Sequence, residues 1–90
     1  MKALILYRPN SEHASIVETF VRDFEHQYDS RDKKVELVSV NTRDGSTTAS
    51  LYDVWAFPAI LILTDDGRVL NLWQGERLPL MEEVAGYMHA

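Results

Sequence analysis

Few side chains in this sequence are of types suited to chemistry. Three are histidines, His13, His26 and His89, and no two stand at a metal-ligand spacing. A metal site needs three or four convergent ligands, and with no thiolate and no His-x-x-x-His the histidines are expected to be solvated. His26, near the end of a helix, suits the dipole there when protonated. The adjacent carboxylates Asp65-Asp66 and Glu82-Glu83 do not face one another on a turn or a helix, so they read as a hairpin turn and a first-turn match to a helix dipole. Arg31-Asp32-Lys33-Lys34 is the one dense charge cluster. It is short, contains an acid and reads as a solvated loop between elements rather than a nucleic-acid patch. The four glycines form no phosphate loop. The chain has no cysteine, which excludes a disulfide framework, a thiolate metal site and any thiol chemistry of its own. Ser11, near the start of the first expected helix, places a hydroxyl beside the positive end of a helix dipole. A helix dipole worth roughly 0.3–1 kcal/mol cannot deliver an alkoxide at neutral pH. His13, two residues on, diverges from Ser11 on a helix and is no general base for it. Ser11 is therefore expected to hydrogen-bond a helix start, and the residues point to no catalytic group, metal or cofactor.

The elements that position these residues follow from pattern. Ninety residues at a net charge of −5, 46% hydrophobic, make one small domain spanning 1–90, with an acidic balance that disfavours a polyanionic partner. Ala3 to Tyr7 and Ala59 to Leu63 are unbroken apolar runs, as expected of central strands covered on both faces. Val35 to Val40 and Val69 to Trp73 are each broken by a polar residue and suit the sheet edges. Ile16, Val17, Phe20, Val21, Phe24 and Tyr28 recur at helical spacing, with Glu18, Arg22, Asp23 and Glu25 on the other side. Asn10 or Ser11 is expected to cap this helix, with the Glu12 carboxylate near its positive end. Strand, helix and strand then form a right-handed parallel crossover. A shorter helix is expected over Thr47 to Asp53, capped by Ser46 or Thr47, after an irregular stretch around Asn41 to Ser46. Asp65-Asp66-Gly67 reads as a tight antiparallel hairpin. Pro79 at a first helical position, with Leu80, Val84, Tyr87 and Met88 behind it, predicts a closing helix in which Gly86 costs about 1 kcal/mol relative to Ala. Ala3 to Leu6 is too short for a signal-peptide core or a membrane span, so the expectation is a cytoplasmic protein without membrane association.

The order strand, helix, strand, helix, strand, strand, helix resembles the core of the thioredoxin and glutaredoxin superfamily. Tyr52-Asp53-Val54-Trp55-Ala56-Phe57-Pro58-Ala59-Ile60 is similar to that family's segment in which Tyr-Gly-Val leads to a hydrophobic residue, a cis-proline and the third core strand. Pro58 takes the cis-proline position, and Asp66-Gly67 and Gly75 match the hairpin turn and the glycine after the last strand. The resemblance implies an α/β, thioredoxin-like three-layer fold with a central four-stranded mixed sheet. Tyr7-Arg8-Pro9-Asn10-Ser11-Glu12-His13-Ala14 resembles the glutaredoxin stretch in which Tyr, then Pro-Asn, precede Cys-Pro-Tyr-Cys. Ser11 replaces the attacking cysteine, Ala14 the resolving one, and Glu12 stands where that motif has proline. The resemblance thus implies the fold while its thiol–disulfide activity lacks both sulfurs.

In the resembled fold the loop before cis-proline borders the first helix start, which implies a groove formed by Arg8, Pro9, Asn10, Ser11, Glu12, His13, Trp55, Ala56, Phe57 and Pro58. In active relatives the backbone of the residue before cis-proline pairs there with an extended substrate or with glutathione, and such strand addition needs no sulfur. Phe57 and Trp73 have a plainer reading as core. The leading expectation is a redox-inactive domain that binds a protein or peptide partner. An alternative is a glutathione-binding, transferase-like domain in which the Ser11 hydroxyl serves the glutathione thiolate, although Gly75 is followed by Glu76-Arg77-Leu78 and not by the acidic pair that receives the glutamyl amine in glutaredoxins. A third reading is a thiol–disulfide oxidoreductase whose cysteines have been replaced.

Overall fold

A computed structural model describes residues 2–27, 34–75, 78–79 and 81–88. Its elements run β1 (Lys2–Tyr7), α1 (Ala14–Gln27), β2 (Lys34–Ser39), α2 (Arg43–Leu51), β3 (Ala59–Leu63), β4 (Val69–Gln74) and α3 (Met81–Met88). The strands form one sheet in the order β2-β1-β3-β4, with β1 parallel to β2, β1 antiparallel to β3, and β3 antiparallel to β4. The two unbroken apolar runs occupy its centre because a strand between two neighbours, with a layer on each face, has no side for polar groups. The interrupted runs flank them.

Alternation along β1 and β3 divides the interior into two cores. Ala3, Ile5, Ile60 and Ile62 face Val17, Val21 and Phe24 of α1 and Val84 and Ala85 of α3. On the other side, Leu4, Leu6, Ala59, Leu61 and Leu63 meet Ala49 of α2 and Val54. The helices therefore cover both faces, giving three layers, and each fully buried Leu or Ile contributes about 1.5–3 kcal/mol. Trp73 packs against the first core, edge-on to Tyr87 of α3 with 5.7 Å between ring centroids. Asn71 donates from Nδ2 to the Tyr87 hydroxyl at 2.9 Å, so β4 and α3 are joined by both packing and a hydrogen bond.

Three local expectations are corrected. Ile16 does not join the core: Val17, Val21 and Phe24 define the buried stripe of α1, and Ile16 lies beside it, 61% exposed. Tyr28 is outside the described residues. The second correction is α2, which starts at Arg43, four residues ahead of the expected Thr47, with Thr42 as its N-cap, whose Oγ1 accepts the Gly45 N–H at 3.0 Å. The cause is tertiary. Both the Thr42 N–H (3.3 Å) and its hydroxyl (2.8 Å) donate to the Ser39 carbonyl, so the last carbonyl of β2 lies under the first turn of α2. A Cβ at Gly45 would stand 1.8 Å from that oxygen, and only glycine permits the approach. Third, α3 begins at Met81, so Pro79 precedes the helix and does not occupy its first position. Leu78 and Met81 pack against the first core and set the entry of α3, while Glu82 and Glu83 fall in its first turn as expected. Leu80 lies outside the described residues, as do His89 and the segment Arg31 to Lys33.

The far end of α2 is a Schellman closure. Asp53 N–H donates to the Ser50 carbonyl (3.3 Å) and Val54 N–H to the Ala49 carbonyl (2.8 Å), with Asp53 at φ 56° and both Ala49 and Val54 buried in the second core. Asp53 holds a left-handed conformation that suits glycine, which is the residue the Tyr-Gly-Val pattern has there. Asp53→Gly is accordingly expected to raise stability by about 0.5–1 kcal/mol, and Asp53→Val to lower it by at least as much. A shift of the urea midpoint at constant slope is the readout.

The β3–β4 hairpin turns through Gly67 (φ 90°), with Gly67 N–H donating to Thr64 O at 3.0 Å and Thr64 N–H to Arg68 O at 2.9 Å. The Thr64 hydroxyl donates to the Asp66 carboxylate, and this bond, ahead of the Arg68 backbone contact, holds the Asp66 carboxyl below its ordinary value. A depressed carboxyl supports the turn above its unfolded-state pKa and withdraws that support as pH falls through the folded one.

Candidate functional site

The loop from β1 to α1 is built by Pro9 and Asn10. Pro9 presets a negative φ and Asn10 takes φ 64°, the pattern of a type II turn, closed by Ser11 N–H donating to Arg8 O at 3.3 Å. This geometry overturns the capping expectation for Asn10 and Ser11. The Ser11 hydroxyl points back and donates to the same Arg8 carbonyl at 2.5 Å, while α1 starts at Ala14, whose N–H reaches the Ser11 backbone carbonyl at 3.2 Å. The ring of His13 crosses the loop, and its Nε2 accepts the Arg8 N–H at 3.1 Å. Glu12 precedes the helix and stands outside its first turn. Ala14, in the position of the resolving cysteine, is buried.

Opposite this loop, the segment from Trp55 to Pro58 is held by Gln74, the last residue of β4. Its Oε1 accepts the N–H of Trp55 (3.0 Å) and of Ala56 (3.2 Å), and Gly75 N–H donates to the Pro58 carbonyl at 3.2 Å. The Phe57–Pro58 peptide bond is cis. One acceptor serving two consecutive donors fixes the loop and leaves the Trp55 side chain 78% exposed. Among the described residues, the N–H and C=O of Phe57 make no hydrogen bond. Sequence reasoning passed over Gln74, because nothing local to an edge-strand end announces a partner loop 18 residues earlier. Gln74→Leu is expected to cost about 1 kcal/mol and to speed hydrogen exchange at the Trp55 and Ala56 amides. Gln74→Glu keeps the acceptor and should hold both amides at wild-type protection.

The two segments meet at a cleft of about 410 Å³ lined by Glu12, His13, Ile16, Phe57 and Pro58. The Arg8 guanidinium lies over the Phe57 ring, 5.2 Å from its centroid, and closes one side by a cation–π contact. Of the residues the resemblance points to, Glu12, His13, Phe57 and Pro58 therefore line the cleft and Arg8 borders it. Pro9 and Asn10 shape its loop. Ser11 is turned into that loop, Ala56 is half-buried, and Trp55 projects outside the lining. Ile16 is the residue that pattern alone misassigned. Its spacing fits both core and cleft, and only the docking angle of α1 on the sheet separates the two. Among the described residues no three His, Asp or Glu side chains cluster as a metal site, and no helix is long and apolar enough to cross a membrane.

No protein-family model and no curated protein matches the sequence. Solved structures do match the fold. Thioredoxin 1 from Thermosipho africanus TCF52B superposes with a TM-score of 0.69 at 13% identity, covering 99% of this chain and 91% of that one. Thioredoxin O2 from Arabidopsis thaliana in its oxidised state gives 0.71 at 10% identity over 98% of this chain and 71% of that one. A structure described as a malarial protein gives 0.74 at 12% identity over 98% and 92%. At such identities the likeness is one of fold, and the fold is thioredoxin-like, in a chain with no cysteine.

Proposed function

We propose that this chain is a thioredoxin-like module that works without thiol–disulfide chemistry and takes an extended segment of a protein or peptide partner at the cleft beside Pro58. The observation that carries this reading is the open backbone of Phe57, whose N–H and C=O make no hydrogen bond among the described residues, beside a cleft to which Ile16, Phe57 and Pro58 contribute apolar surface. An added strand satisfies both groups while its side chains enter the cleft. Ser11 and Ala14 occupy the two sulfur positions of the resembled motif, and neither supplies the thiolate that disulfide exchange requires. The Ser11 hydroxyl is already committed to Arg8 O, so the geometry gives no separate support to a glutathione site.

The test is a chemical-shift titration of the labelled protein with extended peptides, paired with a disulfide-reduction assay. Saturable shifts centred on Phe57 and Glu12, with insulin reduction no faster than the reductant alone, are the expected results. Turnover above that background sinks the redox-inactive reading. Saturable glutathione binding that Ser11→Ala abolishes would replace the peptide module with a glutathione domain.

A further inference from the structure

We infer that the segment this cleft takes is basic: an extended peptide that lays an apolar side chain on Ile16, Phe57 and Pro58 and brings a Lys or Arg against Glu12. The inference rests on the reading of the cleft as a peptide site and adds the chemistry of its occupant. Three observations carry it. Ile16 keeps 61% of its surface in water on a helix that buries Ala14, Val17, Val21 and Phe24, and it lines the cleft with Phe57 and Pro58. Such a lining gains by covering with an apolar side chain.

Charge sets the rest. Glu12 lines the same cleft, is exposed, and among the described residues makes no ion pair. No Lys or Arg joins it in the described lining, and the bordering Arg8 has its guanidinium over the Phe57 ring. The chain as a whole carries −5, so its field speeds the approach of a cationic segment and slows an acidic one. Along an extended peptide, side chains two residues apart lie on the same face about 6.5–7 Å from each other. An apolar residue in the slot and a long basic side chain two positions away therefore reach the apolar lining and Glu12 together, while the peptide backbone pairs with Phe57.

Three short blocked peptides test this: one with a central Leu and Lys two positions to either side, its counterpart with Glu for both Lys, and the Lys peptide with Ser for Leu. The Lys peptide is expected to shift the Glu12, Ile16 and Phe57 amides saturably. The Glu peptide should bind about tenfold more weakly, because it loses an ion pair and meets a field of its own sign. The Ser peptide should also bind about tenfold more weakly, as should the Lys peptide to Ile16→Ser, for loss of the apolar contact. Glu12→Gln should weaken the Lys peptide about two- to fivefold, the range of an exposed ion pair, and this difference should shrink in high salt. Equal affinity for the Lys and Glu peptides, or no effect of Glu12→Gln while Phe57 still responds, overturns the basic occupant and leaves the peptide module standing. Silence at Phe57 with all three peptides overturns both.

Discussion

Phe24→Ala is expected to lower the unfolding free energy by about 3–5 kcal/mol, which makes it the most damaging single change argued for this chain. Among the described residues Phe24 is the largest fully buried side chain, and it sits where α1 meets the sheet and α3. Its ring also stacks near Phe20, with centroids 6.3 Å apart. Truncation removes the transfer free energy of the ring and leaves a cavity between a helix and two central strands that cannot close without moving the whole layer. Against a total stability on the order of 5–10 kcal/mol for a domain this size, the loss is a large fraction of the whole. Urea denaturation should show a much lower midpoint at an unchanged slope, and Phe24→Leu, which conserves most of the volume, should cost less than about 1.5 kcal/mol. Equal effects of the two substitutions would mean that the site is not close-packed.

Gly45→Ala is expected to cost about 3 kcal/mol although alanine is the better helix former. The new methyl would stand 1.8 Å from the Ser39 carbonyl oxygen, which is backbone and cannot rotate away. Either α2 lifts off β2 or the Thr42 bonds to that carbonyl break, and overpacking of this kind costs about 1–3 kcal/mol or more. Gly86→Ala is the matched control. It also lies within a helix, its added Cβ meets nothing within 4 Å, and it should gain about 0.8–1 kcal/mol from propensity alone. For a domain of this size each kcal/mol moves Tm by roughly 4–8 °C, so thermal melts should separate the two alanine variants by more than 10 °C in opposite directions. A stabilising Gly45→Ala would mean that β2 and α2 do not approach as closely as the Thr42 cap requires.

What the sequence by itself determined was everything written in periodicity and composition. Unbroken apolar runs put β1 and β3 at the centre, because a strand covered by a layer on each face has no polar side. The interrupted runs of β2 and β4 went to the edges, and Asp66-Gly67 marked the hairpin through a left-handed glycine. The lack of cysteine, a matter of composition, removed thiol chemistry from the chain. The tertiary structure decided what depends on partners distant along the chain. The start of α2 was invisible because it depends on a strand-end carbonyl approaching a buried glycine, not on the helical spacing of α2. Asn10 and Ser11 read as candidate caps of α1, whereas Pro9 and Asn10 form a turn that directs the Ser11 hydroxyl back to the Arg8 carbonyl. Ile16 lies at a spacing shared by core and surface, so only the docking of α1 on the sheet could put it in the cleft. Gln74 holds the opposite loop through two hydrogen bonds that no local pattern encodes. Periodicity reports which face of an element is apolar, and the packing angle between elements decides which edge of that face is left for a partner.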